Sequence, residues 1–305
     1  MPSWAWIPIT LAAALAQTLR NAAQRHLTAD LGALGATLVR FFYGLPFALA
    51  WLLIAWLTIA PGEPLPGITG SFLIWTVVAS LTQIAATALL LRCMEERNFA
   101  LGVAYAKTDV IQVALFGFVL LGDRIGIVPI IAILVATAGV VLVSLPSGAR
   151  SVAAIARGWT SRAALLGLGS GAAFAMAAVG YRGAALALMT SSIVLAAAYS
   201  LVSAQLLQTI LLGGYLLWRQ RTVVIEVLRA WRVSLLAGAM GALGSACWFT
   251  AMAIEPVANV RTLGLVELYF SYVVSQRFFR ERLSPRELAG FILLALGLLG
   301  VLAPR

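Results

Sequence analysis

The sequence predicts an all-α membrane protein in which ten transmembrane helices form two inverted five-helix repeats around a central cavity. Of its 305 residues, 62% are hydrophobic and 10% are charged, whereas a soluble domain carries roughly a quarter charged residues. Mean hydropathy is +0.99. Apolar windows of about 20 residues, each sufficient to cross a ~30 Å hydrocarbon core as a helix, recur along the chain. The third observation is an internal repeat.

The repeat has a constant offset. Asp109 and Glu267 each lie near the middle of an apolar span, and their numbers differ by 158. The same offset relates Met94 to Met252, Asp123-Arg124 to Glu281-Arg282, Gly139 to Gly297 and Pro146 to Pro304. A charge at the bilayer centre is costly unless it is paired or faces a wet cavity. Because duplicated halves are common in secondary carriers, the pattern predicts a transporter.

Ten helical spans are predicted at residues 4–26, 33–59, 70–92, 98–121, 126–145, 163–182, 187–217, 232–253, 256–279 and 285–303. Pro61, Pro64 and Pro66 separate the second and third spans, and Pro146 with Gly148 ends the fifth. The predicted units are a first repeat at 1–148, a linker at 149–162 and a second repeat at 163–305. Five spans per unit reverse the orientation of the second copy, so the repeat is predicted to be inverted.

The net charge of +10 is concentrated between spans, which indicates contact with anionic membrane lipid and argues against nucleic acid as a partner. The basic residues lie mostly in loops after odd-numbered spans: Arg25, Arg92, Arg97, Arg150, Arg157, Arg162, Arg219, Arg221, Arg229, Arg280, Arg282 and Arg286. The positive-inside rule then places both termini in the periplasm of a bacterial inner membrane. The segment 218–232 is either an amphipathic interfacial helix or an ordinary basic loop.

Asp109 is the leading candidate for substrate binding or coupling. As a helical residue about 16 Å into its span, it would share a face with Tyr105, Gln112 and Phe116. Glu267 is its counterpart. Either acid could bind a cationic group or carry a proton, since burial raises the pKa of a carboxyl group. The alternative is structural pairing with Lys107, Arg20, Arg40 or Arg261.

Further polar and aromatic residues fall within spans. Lys107 and Arg261 could meet a substrate carboxylate or neutralise an acid, and Arg20 and Arg40 could snorkel to the interface. The remaining candidates are the amides Gln17, Asn21 and Gln83, which could instead link helices, and the aromatic residues Trp248, Tyr181 and Tyr269.

The sequence argues against an enzyme and against a bound cofactor or metal. The two cysteines have no metal-ligand spacing and there is one histidine. No glycine-rich phosphate loop followed by Lys-Ser/Thr is present, which disfavours ATP-driven transport. A membrane-embedded enzyme would need a polar constellation at one interface, and none is evident.

The two copies of the acid-containing segment resemble the EamA-type ten-helix branch of the drug/metabolite transporter (DMT) superfamily. The resemblance rests on Asp109 through Gly122-Asp123 to Gly139, and on Glu267 through Arg280-Glu281 to Gly297. Val110 and Leu268 stand where the family has proline. The resemblance implies inverted repeats, a central cavity and alternating access, and it implies export of amino acids or other metabolites.

The expected function is secondary transport of a small-molecule substrate, an amino acid or a related amphiphilic metabolite, across the inner membrane, with protons as a possible coupling ion. A cationic-drug exporter is the first alternative, and a membrane-embedded enzyme is a weaker one.

Overall fold

In the computed structural model, the residues described are 4–96, 99–107, 109–122, 126–144 and 161–278, with the pairs 289–290, 292–293 and 296–297. Within these residues the chain is helical and forms no strand. The predicted tenth span and the 149–162 linker lie largely outside them. The repeat markers at 123–124, 146, 281–282 and 304 lie wholly outside them.

The helices of the first half are α1 (Trp6–Phe42), α2 (Leu45–Ile54), α3 (Gly70–Glu96), α4 (Phe99–Ala106), α5 (Asp109–Phe116) and α6 (Ile127–Ser144). Helix α2 continues as a π-helical turn at Ala55–Ile59, and α5 continues as a second one at Gly117–Leu121. The helices of the second half are α7 (Arg162–Leu186), α8 (Ile193–Arg219), α9 (Arg221–Arg229), α10 (Trp231–Ile254), α11 (Val257–Leu263) and α12 (Glu267–Phe278), and a 3₁₀ turn at Gly264–Val266 joins the last two.

In the described part of the chain, five helical stretches are long and apolar enough to cross a membrane: Trp6–Ile59, Gly70–Glu96, Arg162–Leu186, Ile193–Arg219 and Trp231–Ile254. Large apolar side chains such as Leu53, Ile74 and Ile210 are at least half exposed on the outer surface of the bundle, as lipid contact requires. The chain is therefore an all-α, multi-pass membrane protein.

The first stretch reverses direction at Gly32. This glycine has φ 65° and ψ 171°, a backbone conformation that interrupts the helix. The side-chain amide of Gln24 donates to the carbonyl oxygen of Ala36 at 2.6 Å, although twelve residues of straight helix would span about 18 Å. The first predicted span is thus the first arm of α1, and the second comprises the second arm together with α2 and its π-helical turn. The arms of α1 run up to Gly32 on both sides.

The helix starts of the second half follow ordinary capping chemistry. The hydroxyl of Ser161 accepts from the backbone N–H of Ala164, and the hydroxyl of Ser192 accepts from that of Leu195, each at 3.3 Å. Helix α9 buries Val227 and exposes Arg221 and Arg229, so residues 221–229 form the amphipathic helix rather than the alternative basic loop.

The two most extensive helix contacts join α3 to α7 and α1 to α10. Small residues make both possible. A Cβ atom added at Gly183 would lie 2.7 Å from the ring of Trp75, and one at Gly238 would lie 2.5 Å from the carbonyl carbon of Tyr43. In lipid, close backbone approach of this kind replaces hydrophobic driving force between helices.

Candidate substrate site

Both acidic candidates lie at helix breaks. Helix α4 ends at Ala106 and α5 begins at Asp109, while α11 ends at Leu263 and α12 begins at Glu267 after the 3₁₀ turn. The predicted spans 98–121 and 256–279 are thus each divided into two helical segments, and in the second span Gly264 and Glu267 keep right-handed helical backbone on either side of the junction. Each acid is the first residue of an α-helical segment, where the helix dipole favours negative charge.

The interruption also separates two residues expected to share a face. Tyr105 lies on α4, before the break, and packs against Gly167 of α7 in a small cluster with Cys93. Tyr105 and Asp109 thus lie on different helical segments.

The acids form two crossed ion pairs. Lys107 Nζ contacts Glu267 Oε2, and Arg261 Nη2 contacts Asp109 Oδ2. All four residues are buried. Each pair joins the first half of the chain to the second, because each acid meets the base carried by the other broken helix. The structure thus contains the pairing alternative for both acids, with Lys107 and Arg261 as the partners.

Glu267 has two further donors, both from α1. Gln17 Nε2 lies 2.5 Å from Glu267 Oε2, and Asn21 Nδ2 lies 3.0 Å from Oε1. Gln17 accepts in turn from the indole N–H of Trp248 at 2.9 Å, and the guanidinium of Arg261 lies 5.2 Å from the centre of that ring. Both oxygens of Glu267 are therefore engaged, whereas Oδ1 of Asp109 has no hydrogen-bond partner.

Arg40 is the centre of a second polar group. Its guanidinium donates to Thr87 Oγ1 at 3.1 Å and to Ser245 Oγ at 3.3 Å. With its amide oxygen facing Arg40, Gln83 accepts at 2.6 and 2.7 Å. Arg20 lies nearby and donates to Asn21 Oδ1 at 2.6 Å, which links the two polar groups.

Arg20 and Arg40 are 0% and 4% exposed. Snorkelling of their head groups to the interface, one of the sequence-based alternatives, is therefore wrong: the helices around them close off the route to the membrane surface.

A small cavity lies between the two polar groups. Its lining includes Gln17, Arg40, Gln83, Trp248 and Arg261. The volume open to the centres of water molecules is about 20 Å³, enough for about one water. A separate groove of about 500 Å³, lined by apolar residues such as Phe47, Trp51 and Leu243, carries no charged side chain. The polar centre is therefore closed in this conformation.

The structure brings most of the predicted site residues together. Ion pairs, hydrogen bonds and a cation–π contact connect Asp109, Glu267, Lys107, Arg261, Gln17, Asn21 and Trp248, and Gln83 lines the cavity beside Gln17, Trp248 and Arg261. Among the other candidates, Phe116 and Tyr269 are partly buried against the main apolar core, and Gln112 is partly buried with Oε1 lacking a hydrogen-bond partner.

Sequence reasoning missed the polar group around Arg40. Thr87 and Ser245 had no role in the predicted site, although Gln83 and Thr87 are four residues apart on one helical face. That spacing was the available signal. In the part of the chain that the structure describes, no group of three or more His, Cys, Asp or Glu side chains could hold a metal ion.

Fold and site together define a multi-pass helical membrane protein with a buried, charged polar centre. A solved crystal structure, described without a functional name, is similar to this chain over 97% of its length and 98% of that chain, with a TM-score of 0.62 and 14% sequence identity. At that identity the likeness concerns the fold alone. No protein-family model and no curated protein matches the sequence.

Proposed function

We propose that this protein is a secondary transporter that moves a small metabolite across the bacterial inner membrane by alternating access. Its substrate class is an amino acid or a related amphiphilic metabolite, and the direction is export. The observation that carries the proposal is the buried polar network at the two helix breaks. Interrupted helices at membrane depth are tolerated where they line a cavity or are buried in protein, and transporters place substrate and ion sites there.

An inverted repeat of five plus five helices is part of the proposal. The two breaks fall at residues related by the 158-residue offset, Asp109 and Glu267. The extensive contacts α3–α7 and α1–α10 also exchange when the halves are exchanged, since α3 corresponds to α10 and the first arm of α1 to α7. The resemblance to EamA-type transporters of the DMT superfamily supports the same arrangement.

The cationic-drug alternative needs an acid available to a cationic ligand. Both acids of the centre are already paired with basic side chains, Asp109 with Arg261 and Glu267 with Lys107. A cation would have to displace one of these partners from a buried site. The geometry therefore favours the metabolite exporter over the drug exporter.

We also propose that both termini face the periplasm, because arginines concentrate in the loops after odd-numbered spans. An active phosphatase fused to the carboxyl terminus agrees with this topology. A strongly fluorescent GFP fusion with an inactive phosphatase fusion reverses it.

The transport proposal is tested with purified protein in proteoliposomes. A panel of radiolabelled amino acids, related metabolites and organic cations is offered with and without a pH gradient, beside protein-free liposomes as the control. Saturable uptake or exchange of a metabolite supports the proposal. Absence of protein-dependent flux for the whole panel, from protein shown to be folded, contradicts it.

A further inference from the structure

The polar centre holds more positive than negative charge. Among the described residues its buried bases are Arg20, Arg40, Lys107 and Arg261, and its buried acids are Asp109 and Glu267. Lys107 and Arg261 are the bases in ion pairs, so Arg20 and Arg40 are left without a carboxylate in contact. An isolated buried charge is expensive. Two such charges side by side indicate a place for an anion.

The two guanidinium groups also have unused donors. Arg20 Nε and Nη1 and Arg40 Nε are buried and have no hydrogen-bond partner. The neutral oxygens of Asn21, Gln83, Thr87 and Ser245 satisfy the remaining contacts but bring no charge. Buried donors without acceptors are uncommon in folded proteins, and an anionic ligand would supply both the acceptors and the missing charge.

The side-chain stems of Arg20 and Arg40 meet beside Gly241. A Cβ atom added there would lie 3.2 Å from Cγ of Arg40 and 3.4 Å from Cδ of Arg20. The stems of both side chains thus cross α10 at the same point, where the absent side chain of glycine makes room for them.

We propose that Arg20 and Arg40 form a carboxylate-binding site and that the transported substrate is an organic anion with an apolar body. The inference rests on the proposed transport function and narrows its substrate class. It also moves the expected carboxylate contact away from Arg261, whose guanidinium is occupied by Asp109.

The apolar body of the substrate has a matching surface. The cavity beside Arg40 is lined by Phe174, Trp248, Phe249 and Met252 as well as by the polar groups. In the open conformation these side chains would contact a ring or a branched chain while the carboxylate meets the arginines. Aromatic and thioether side chains provide large contact areas for such a ligand.

A ligand ammonium group has no unpaired carboxylate in contact with Arg20 or Arg40. Both carboxylates are paired with Lys107 and Arg261, and a cation near Arg20 and Arg40 would be repelled. The site is therefore expected to prefer an anion to a zwitterion of the same shape, and a zwitterion to a cation.

The test is isothermal titration calorimetry of the full-length protein in detergent with four ligands that share a phenyl ring: 3-phenylpropionate, phenylalanine, phenethylamine and phenyl phosphate. We expect 3-phenylpropionate to bind at least about tenfold more tightly than phenylalanine, and phenethylamine to bind most weakly. Equal or tighter binding of phenylalanine or phenethylamine overturns the proposal. Tighter binding of phenyl phosphate than of 3-phenylpropionate overturns the assignment to a carboxylate.

Variants locate the site. Arg40→Gln should lower the affinity for 3-phenylpropionate at least about tenfold, whereas Arg229→Gln, an exposed arginine on α9, should leave it unchanged. Gly241→Ala keeps both charges and crowds the stem of Arg40, because the added Cβ would lie 3.2 Å from its Cγ, so it should weaken binding even if Arg40→Gln does not fold. Its matched control is Gly214→Ala, where an added Cβ meets nothing within 4 Å. Unchanged affinity in folded Arg40→Gln or in Gly241→Ala contradicts the proposal.

The two proposals fail in different ways. Selective binding of the anion without flux in proteoliposomes retains the carboxylate site and removes the transport function. Flux of a zwitterion or a cation, with no binding of 3-phenylpropionate, retains transport and removes the carboxylate site.

Discussion

Lys107 and Glu267 lie 160 residues apart in the sequence and form a buried ion pair in the structure. The pair joins the break after α4 to the first residue of α12, and it is one of two crossed links between the halves. Because both partners are buried, removing one leaves an uncompensated charge in a low-dielectric interior. The links therefore hold the broken helices of the two halves in register.

Glu267→Gln should destabilise the folded protein by about 3–5 kcal/mol, and the double variant Lys107→Met/Glu267→Gln should lose less than the single variant. Thermal unfolding in detergent measures both. The exposed pair of Glu226 and Arg229 is the matched control, and Glu226→Gln should cost less than about 1 kcal/mol. If the double variant is less stable than both Glu267→Gln and Lys107→Met, the broken ion pair is not the source of the lost stability.

Asp109 is the better candidate for proton coupling, because its Oδ1 atom has no hydrogen-bond partner whereas both oxygens of Glu267 do. Asp109→Asn should abolish accumulation driven by a pH gradient while substrate exchange remains measurable. Asp109→Glu, which keeps the titratable group, is the control. Full gradient-driven accumulation by folded Asp109→Asn protein would make this acid purely structural.

Glu63 joins two loops on one side of the bundle. Its carboxylate accepts from Thr190 Oγ1 at 2.7 Å and also from Ser191 Oγ, and these hydrogen bonds lower the pKa of Glu63 below its ordinary value of 4.5. Because the folded-state pKa is depressed, the stabilisation is present above the unfolded-state pKa and is lost as pH falls through the folded-state value.

The link between these two loops is measured by amide hydrogen exchange of residues 60–69 and 187–192, with the rates corrected for intrinsic exchange. Protection should stay constant from neutral pH down to about the unfolded-state value near 4.5 and fall in more acidic solution, and Glu63→Ala should remove it at neutral pH. Protection that is already lost near neutral pH, or that survives Glu63→Ala, would contradict the role given to the carboxylate.

Gly238 marks the tightest contact between α10 and the end of α1. An added Cβ would lie 2.5 Å from the carbonyl carbon of Tyr43, and backbone cannot yield as a flexible side chain can. Gly238→Ala should therefore destabilise the protein by about 1–3 kcal/mol. Gly214→Ala, which meets nothing within 4 Å, should be neutral or slightly stabilising. Thermal unfolding of Gly238→Ala and Gly214→Ala measures the difference. Equal melting temperatures for the two variants would contradict the close approach of α10 to Tyr43.

The sequence predicts the helical class well because apolar windows of membrane length have few alternatives to a helix. It also predicts the reversal between the arms of α1, although the helices extend further towards Gly32 than the polar residues indicate. The division of two spans into segments at Asp109 and Glu267 has no proline signal in the sequence, where Val110 and Leu268 follow the acids. It coincides with contacts between the halves, which a linear pattern does not contain.

The candidate site was predicted in its acids, amides and bases but not in their pairing. A position within a span gives the depth of a side chain but not the neighbours that its helix face meets. Arg20 and Arg40 illustrate this limit, since equal depth allowed either snorkelling or burial. The stems of both side chains lie beside Gly241 of α10, more than 200 positions along the chain.

Access to the polar centre from the two sides of the membrane tests the transport account most directly. Ser245 is uncharged, contacts Arg40 and lines the cavity, so Ser245→Cys serves as the reporter. It is introduced into a variant in which the two native cysteines, Cys93 and Cys247, are replaced by alanine. Leu243→Cys, on the outward apolar face, is the control. Membrane-impermeant thiol reagents are applied to vesicles of known orientation, with a substrate gradient in either direction. The account predicts that Ser245→Cys is labelled from one side of the membrane, and that the labelled side changes when the gradient is reversed. Labelling from both sides at once, or from neither side under any gradient, would contradict it.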